Sequence, residues 1–357
     1  MQAGLLDTHH RPDRTRGGAA WALSLGLVLF YLLLYLPGSG FASSFPDVIT
    51  PISNALHLPS KWFLYGLVYT LAMVVGGSAM LKKHGNSNYH RVRTLTLVGV
   101  QIVLAFSLPL ALNLCQQPEL YFSYVWPLDY DVLFPKNLAE MPLAAAIYFV
   151  VASLVAFPWL AWRYGKRFYC SWICGCGGLA ETFGDPWRHL SDKSSRAWTL
   201  ERWSIYSVLA LVILLTVLVF GAAFEPELAP ASQHAKGIYG FFVGAIFSGV
   251  LGVGLYPLMG TRVWCRFGCP MAALLGLIQK FGRFRIEVKR DMCIACGNCS
   301  TYCEMGIDVR AYAMANMEIR RASCVGCGMC AHVCPRGVLR LTSEGEKGEP
   351  AEWVIEL

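Results

Sequence analysis

Cys293-Ile-Ala-Cys296-Gly-Asn-Cys299-Ser-Thr-Tyr-Cys303 and Cys324-Val-Gly-Cys327-Gly-Met-Cys330-Ala-His-Val-Cys334-Pro335 are two copies of one pattern near the end of a 357-residue chain. Each reads C-x2-C-x2-C-x3-C, and the second closes on proline. This is the run of cysteines that holds iron–sulfur cubes in two-cluster proteins. Two residues between thiolates let one tight loop wrap three corners of a cube. The fourth cysteine starts a short helix that points away and ligates the other cube. Crossed ligation therefore predicts Cys293, Cys296, Cys299 and Cys334 around one 4Fe–4S cluster, and Cys324, Cys327, Cys330 and Cys303 around a second. Ala295, Gly297, Gly326 and Gly328 suit loops that turn sharply and approach a cluster closely. A pair of zinc sites would use separated C-x2-C pairs, and leaves both the third cysteine and the repeat unexplained.

The rest of the chain differs in composition. Overall it is 55% hydrophobic and only 15% charged, against roughly 25% charged in ordinary soluble domains. Long apolar runs alternate with short charged loops between residues 19 and 260. The expected spans are Ala19–Leu36, Trp62–Leu81, Thr94–Leu114, Leu143–Trp162, Ser204–Phe224 and Ile238–Met259, each near the ~20 residues that cross a hydrocarbon core. The tail 1–18 and the loops 82–93 and 163–202 carry 3, 4 and 7 Lys or Arg, whereas the opposite side has only Lys61, Lys136 and Lys236. By the positive-inside rule both termini and the cysteine cassette are cytoplasmic, as reduced thiolates also require. The tail, with Arg11, Arg14 and Arg16, reads as a cytoplasmic extension and not a signal peptide.

The far-side loops are rich in proline and aromatics. Tyr121-Phe-Ser-Tyr-Val-Trp126-Pro reads most simply as an interfacial aromatic belt, with a re-entrant segment as the alternative. Glu119, Asp129, Asp131, Glu225 and Glu227 lie on this side and are candidates for taking protons from a quinol.

A second repeat lies in the inner loops. Gly165-Lys-Arg167-Phe-Tyr-Cys170-Ser-Trp-Ile-Cys174 aligns with Gly260-Thr-Arg262-Val-Trp-Cys265-Arg-Phe-Gly-Cys269. Cysteines four apart share a helix face, so Cys170, Cys174, Cys265 and Cys269 are expected to converge. They would form a further iron–sulfur or metal centre, a redox dithiol pair, or merely buried helix-end packing. Cys176 is a spare candidate, and Cys115 reads as packing.

With these motifs assembled, the chain resembles the membrane-bound polyferredoxins typified by NapH, NosR and CcoG over roughly residues 60–341. Cys265-Arg-Phe-Gly-Cys269-Pro270 matches the family's C-x3-C-P motif, while Gly175 stands where the first pair would have proline, and Glu304 follows Cys303. The layout is nearest to NapH-like subunits. The resemblance implies electron transfer between the quinone pool, or a membrane partner, and other redox centres.

The remaining residues point nowhere else. The histidines lie outside mid-span positions, so a membrane haem is not expected; His332, inside the second cluster motif, reads as surface or packing. No phosphate-binding glycine loop occurs, and no nucleic-acid partner is expected. Arg283, Arg285, Lys289 and Arg290 read as a lipid-anchoring run. The acidic segment Glu344–Glu356 reads as a flexible end, with Trp353 and Ile355 docking on a neighbour.

The expected fold is an all-α, six-helix membrane domain over 19–282 bearing the two C-x3-C motifs. A C-terminal α+β two-cluster bacterial-type ferredoxin domain follows over 283–343, between the tails 1–18 and 344–357. The expected function is electron transfer in a bacterial inner membrane, as the iron–sulfur subunit of a larger oxidoreductase with other redox subunits and quinone as partners. The rival readings are a maturation or copper-reducing factor and a redox sensor.

Overall fold

Among the described residues of the computed structural model (17–37, 45–117 and 119–343), six helices are long and apolar enough to cross a membrane. They are Gly18–Tyr35, Lys61–His84, Asn88–Leu114, Leu143–Tyr164, Ser195–Phe224 and Pro226–Leu251, here spans one to six. The expected N-terminal tail, save Gly17 and Gly18, and the segment 344–357 with Trp353 and Ile355 lie outside the described residues.

Spans three and five start earlier than the apolar runs alone suggest. Ser87 and Ser194 cap them, accepting from the backbone N–H of His90 and Ala197. The capped ends extend each helix through polar turns that hold Arg93 and Glu201. Span six differs more. It begins at Pro226 and ends at Leu251, and Tyr256–Met259 is a separate short helix. Gly252, Gly254 and Pro257 explain the break, since glycine costs about 1 kcal/mol and proline about 3 kcal/mol in a helix interior.

Three spans contain π-helical segments: Gln101–Ser107, Ala152–Ala156 and Gly240–Leu251. The first two lead directly into Pro109 and Pro158. Proline has no N–H to donate, and a local π adjustment re-pairs the carbonyls it would orphan in an apolar medium.

The segment 119–134 is re-entrant and not a surface belt. Leu120, Val125 and Val132 are buried in the same core as Cys170, Cys174, Cys265 and Cys269. Its backbone is satisfied from the surrounding helices: Tyr148 Oη donates to Phe122 O at 2.8 Å and Tyr169 Oη to Ser123 O at 2.6 Å. Trp126 Nε1 donates to Thr216 Oγ1 at 3.0 Å. Irregular backbone at this depth is tolerated only where protein buries it. Of the aromatic residues that suggest an interface, Phe122 and Trp126 are here packed against the core.

Strand β1 (Arg285–Val288) opens the cassette and pairs antiparallel with β2 (Leu339–Thr342), Arg285 opposite Thr342. Between them run the short helices Asn298–Thr301, Val309–Met314 and Met329–His332. Ile286, Val309, Ile319 and Leu339 join the same core as the membrane cysteines. The two parts of the chain thus share one apolar interior. Of the basic run, Arg285 turns inward to Glu287 and Glu318, at 3.0 and 3.4 Å, and Arg283 lies 4.9 Å from the Trp162 ring.

Candidate iron–sulfur centres and the charge array between them

Three cavities are lined by cysteines. Cys293, Cys296, Cys299 and Cys334 face one. Cys303, Cys324, Cys327 and Cys330 face a second. These are the two crossed sets. The third cavity gathers Cys170, Cys174, Cys176, Cys265 and Cys269 with Ser123, Tyr124 and Leu128 of the re-entrant segment. Among the described residues no three His, Cys, Asp or Glu side chains close on a single metal ion. The thiols instead gather in three sets of four or five, each around a hollow of its own.

The two cassette loops share one backbone solution. Ala295 and Gly326 occupy equivalent positions at φ 58° and 61°, and Gly297 and Gly328 at 83° and 80°. Backbone N–H groups donate to ligand sulfurs: Ala295 to Cys293, Ile307 to Cys303 and Val338 to Cys334, all at 3.4 Å. Ala272 N–H does the same for Cys269 at 3.4 Å. Burial pushes the Cys299 thiol up to about 12 and Cys324 up to about 11. Thiols so placed lose their protons only to a bound metal's positive charge. Donor type, donor number and N–H···S bonds together fit iron–sulfur cubes. Cys174 departs from this: the Cys176 thiol donates to it and holds it below the ordinary thiol range.

The middle set is fixed to the membrane domain by consecutive carbonyls. Gln279 Nε2 donates to Cys324 O at 2.9 Å, Ser171 Oγ to Val325 O at 2.9 Å and Tyr89 Oη to Gly326 O at 2.9 Å. Arg93 Nη1 donates to Cys327 O. Gln101 of span three likewise donates to Ile173 O, inside the first membrane cysteine loop. The first set is the outermost, with Cys296 exposed and Cys293 and Cys334 half-buried.

A buried chain of alternating charges links the middle set to the membrane set. Arg93 Nη2 lies 2.8 Å from Glu181 Oε2, and Arg262 Nη2 lies 2.5 Å from Glu181 Oε1 and 2.9 Å from Glu304 Oε1. Arg188 Nη1 reaches Glu304 Oε2 at 3.1 Å, and its Nε reaches Asp185 Oδ1 at 3.2 Å. Lys83 Nζ closes the chain 2.7 Å from Asp185 Oδ2. The array touches both cysteine sets: Arg262 Nη1 lies 3.6 Å from Cys265 Sγ, and Arg188 Nη1 3.8 Å from Cys327 Sγ. Fixed charges and hydrogen bonds to sulfur are the protein's means of setting a cluster's potential.

A family model described as a 4Fe-4S dicluster domain matches residues 286–341. Another, a 4Fe-4S binding domain, matches residues 146–197 and 239–289, the stretches that carry the repeated cysteine pairs. The chain belongs to the membrane-bound polyferredoxins. YccM of Escherichia coli (strain K12) is 28% identical over 187 residues, 46% of this polyferredoxin and 48% of YccM. MauN, a methylamine utilization ferredoxin-type protein of Paracoccus denitrificans (strain Pd 1222), is 30% identical over 177 residues, 49% of this chain and 60% of MauN. The ferredoxin-type protein NapH of Escherichia coli (strain K12) is 26% identical over 180 residues, 50% of this chain and 60% of NapH. The polyferredoxin thus spans about half to three-fifths of the length of these relatives. No solved structure matches it.

The far-side acids separate by environment. Asp131 is paired with Lys236 at 2.9 Å. Burial pushes the Asp129 carboxyl up, and Asp129 directly follows Leu128 of the membrane cysteine cavity. Glu119 bonds to Asn113 at 3.1 Å, while Glu225 and Glu227 are exposed. Cys115 is exposed too, not packed. His332 has a more definite place than its sequence context implies: its Nε2 lies 3.1 Å from His84 Nδ1, and its ring centroid 4.7 Å from that of His90. The polyferredoxin therefore docks its second cluster motif on spans two and three through histidines as well. The array and this triad were missed from sequence because their members come from distant segments. The one local signal was Glu304, standing where the family has proline.

Proposed function

We propose that the chain is the electron-transfer subunit of a membrane oxidoreductase, with three iron–sulfur centres. Cys170, Cys174, Cys265 and Cys269 would hold the first, with Cys176 as a fifth thiol beside it. Cys303, Cys324, Cys327 and Cys330 would hold the second, and Cys293, Cys296, Cys299 and Cys334 the third. Bound there, each cluster supplies a one-electron site. The observation that carries this reading is that each of the three cysteine sets lines a hollow of its own within one continuous core. The exposure of Cys296 makes the third set the exchange point with a redox partner. Anaerobically purified protein should contain iron and sulfide beyond two cubes, with the excess lost in a Cys174→Ser/Cys269→Ser variant. Iron limited to two cubes would remove the membrane centre from the proposal.

The proposed electron donor is a quinol at the far side. Each quinol that gives up two electrons releases two protons, and the proposed acceptors are Asp129, next to Leu128 of the membrane cysteine cavity, and Asp131, paired with Lys236, with Glu119, Glu225 and Glu227 completing the set. Asp129→Asn should slow quinol-dependent reduction at unchanged iron content; an unaltered rate there and at Asp131 rejects the site. The proposed setting is a bacterial inner membrane with the clusters cytoplasmic, supported by the distribution of Lys and Arg. Reporter fusions after residues 90 and 190 should then read as cytoplasmic and a fusion near 130 as the opposite side; a reversed pair rejects it.

A further inference from the structure

Beside the membrane cysteine cavity, span five, the helix Pro270–Lys280 and residues 320–323 of the cassette enclose a much larger cleft. It has a volume of about 420 Å³ and shares Cys265 and Ala272 with the cysteine cavity. Its charge is one-sided. Lys166, Arg202, Arg266, Lys280, Arg320 and Arg321 line it, against Glu201 alone. Glu201 is taken by Arg266 at 2.7 Å, and Arg320 leans on Glu318 at 3.4 Å. Among the described residues Lys166, Arg202, Lys280 and Arg321 form no ion pair.

Lys166 is only 1% exposed, and its Nζ has a single distant carbonyl, Ala272 O at 3.5 Å. A buried cation is costly unless anions meet it; the charge of Lys166 is felt by Cys170 and Cys324 on one side and faces the cleft on the other. Arg202 and Arg321 approach the Trp198 ring at 5.1 Å each, one from a membrane span and the other from the cassette. The remaining wall is apolar. Ile205, Tyr206 and Leu277 line it, two of them on a helix that enters the bilayer.

We propose that this cleft binds the headgroup of an anionic phospholipid, whose phosphate is received by Lys166, Arg202 and Arg321 and whose acyl chains leave along Ile205 and Tyr206. Basic pockets beside membrane helices bind such headgroups, and Trp198 sits where an interfacial aromatic belongs. A soluble acidic segment would find cations here, but would also have to cover the apolar wall along span five. The bound lipid bridges span five to the segment that leads into Cys324, and so steadies the cassette on the membrane.

The test uses the full chain, delipidated in detergent and loaded with iron and sulfide, with lipid retention read by native mass spectrometry. Dioleoylphosphatidylglycerol should bind at least tenfold more tightly than dioleoylphosphatidylcholine. Each cation removed should weaken it roughly fivefold, so Lys280→Gln loses about fivefold and Arg202→Gln/Arg321→Gln more than tenfold. Lys289→Gln/Arg290→Gln, outside the cleft, should be neutral, and iron content serves as the folding control for every variant. Equal affinity for the two lipids, or full binding by the double variant, overturns the proposal. Inorganic phosphate or a polyglutamate peptide binding at this cleft as tightly as the anionic lipid also overturns it, and reassigns the occupant.

Discussion

The cassette and the membrane cysteine pairs are both internal repeats, yet they use repetition differently. In the cassette the two copies repeat down to the backbone, with Ala295 matching Gly326 and Gly297 matching Gly328 in left-handed conformation. In the membrane pairs the sequence repeats but the surroundings diverge. Arg262 is wholly buried between Glu181 and Glu304. Its counterpart Arg167 is half-buried, 5.0 Å from the Phe284 ring and bonded to Ser343 at 3.2 Å. A cluster loop is a local device that spacing alone can specify. The membrane site is assembled from segments far apart, so its two halves are free to specialise.

The largest expected effect separates the thiol sets by redundancy. The cassette has four cysteines for each set, whereas five line the membrane cavity. Cys330→Ser should therefore remove the iron of one cube, and Cys265→Ser that of the membrane centre. Cys176→Ser should leave iron content unchanged, because the four proposed ligands Cys170, Cys174, Cys265 and Cys269 are all kept. Loss of a centre in Cys176→Ser would make Cys176 the true ligand in place of Cys174.

The next effect tests the divergence of the two arginines. Arg262→Gln takes one of two cations from each of two buried carboxylates, Glu181 keeping Arg93 and Glu304 keeping Arg188, and disrupting buried pairs in this way costs up to about 3–5 kcal/mol. Arg167→Gln loses a half-buried ring contact worth about 0.5–1 kcal/mol. Thermal melts of the full chain should rank them in that order, and equal losses would mean that the repeat is functionally symmetric. Arg262→Gln should also change the reduction midpoint of the membrane centre, through the lost contact to Cys265 Sγ at 3.6 Å.

This contrast also explains what could be seen in the sequence. The spans were legible from length and apolarity, and the crossed cysteine sets from spacing, because both are local. The convergence of Cys170 and Cys265 was legible only because the motif repeats. The descent of 119–134 was not, since Tyr and Trp serve a membrane interface and a protein interior equally well. Nor was the array: Arg93, Glu181, Arg188 and Arg262 look like loop or helix-end charges until the fold brings them together.

A smaller effect tests how the cassette is held. Gln279→Ala removes three bonds, two donated to Arg321 O at 2.8 Å and Cys324 O at 2.9 Å and one accepted from Lys166 N–H at 2.7 Å. Ser171→Ala removes one, to Val325 O. At about 1 kcal/mol per bond, the first should destabilise roughly three times as much as the second. Protease protection of residues 320–328 reads this directly, and identical protection in both variants would show that the carbonyl contacts do not hold the loop.

The smallest effect concerns a place where the cassette's two copies differ in residue but share a left-handed conformation. Ala295 has φ 58° where its equivalent Gly326 has 61°, and a left-handed conformation costs a non-glycine residue about 1–2 kcal/mol. Ala295→Gly relieves that strain but adds about 0.5–1 kcal/mol of unfolded-state entropy, so a net gain of at most ~1 kcal/mol is expected. The reverse exchange is not symmetric. A Cβ at Gly326 would lie 2.7 Å from Arg167 Cβ and 2.9 Å from Phe284 Cζ, because this loop is pressed against the membrane domain while the Ala295 loop is not. Gly326→Ala therefore incurs the conformational cost and an overpacking cost of about 1–3 kcal/mol. Melting followed by cluster absorbance should show Ala295→Gly slightly stabilised and Gly326→Ala clearly destabilised. If Gly326→Ala melts with the parent protein, the middle loop is not in close contact with the membrane domain.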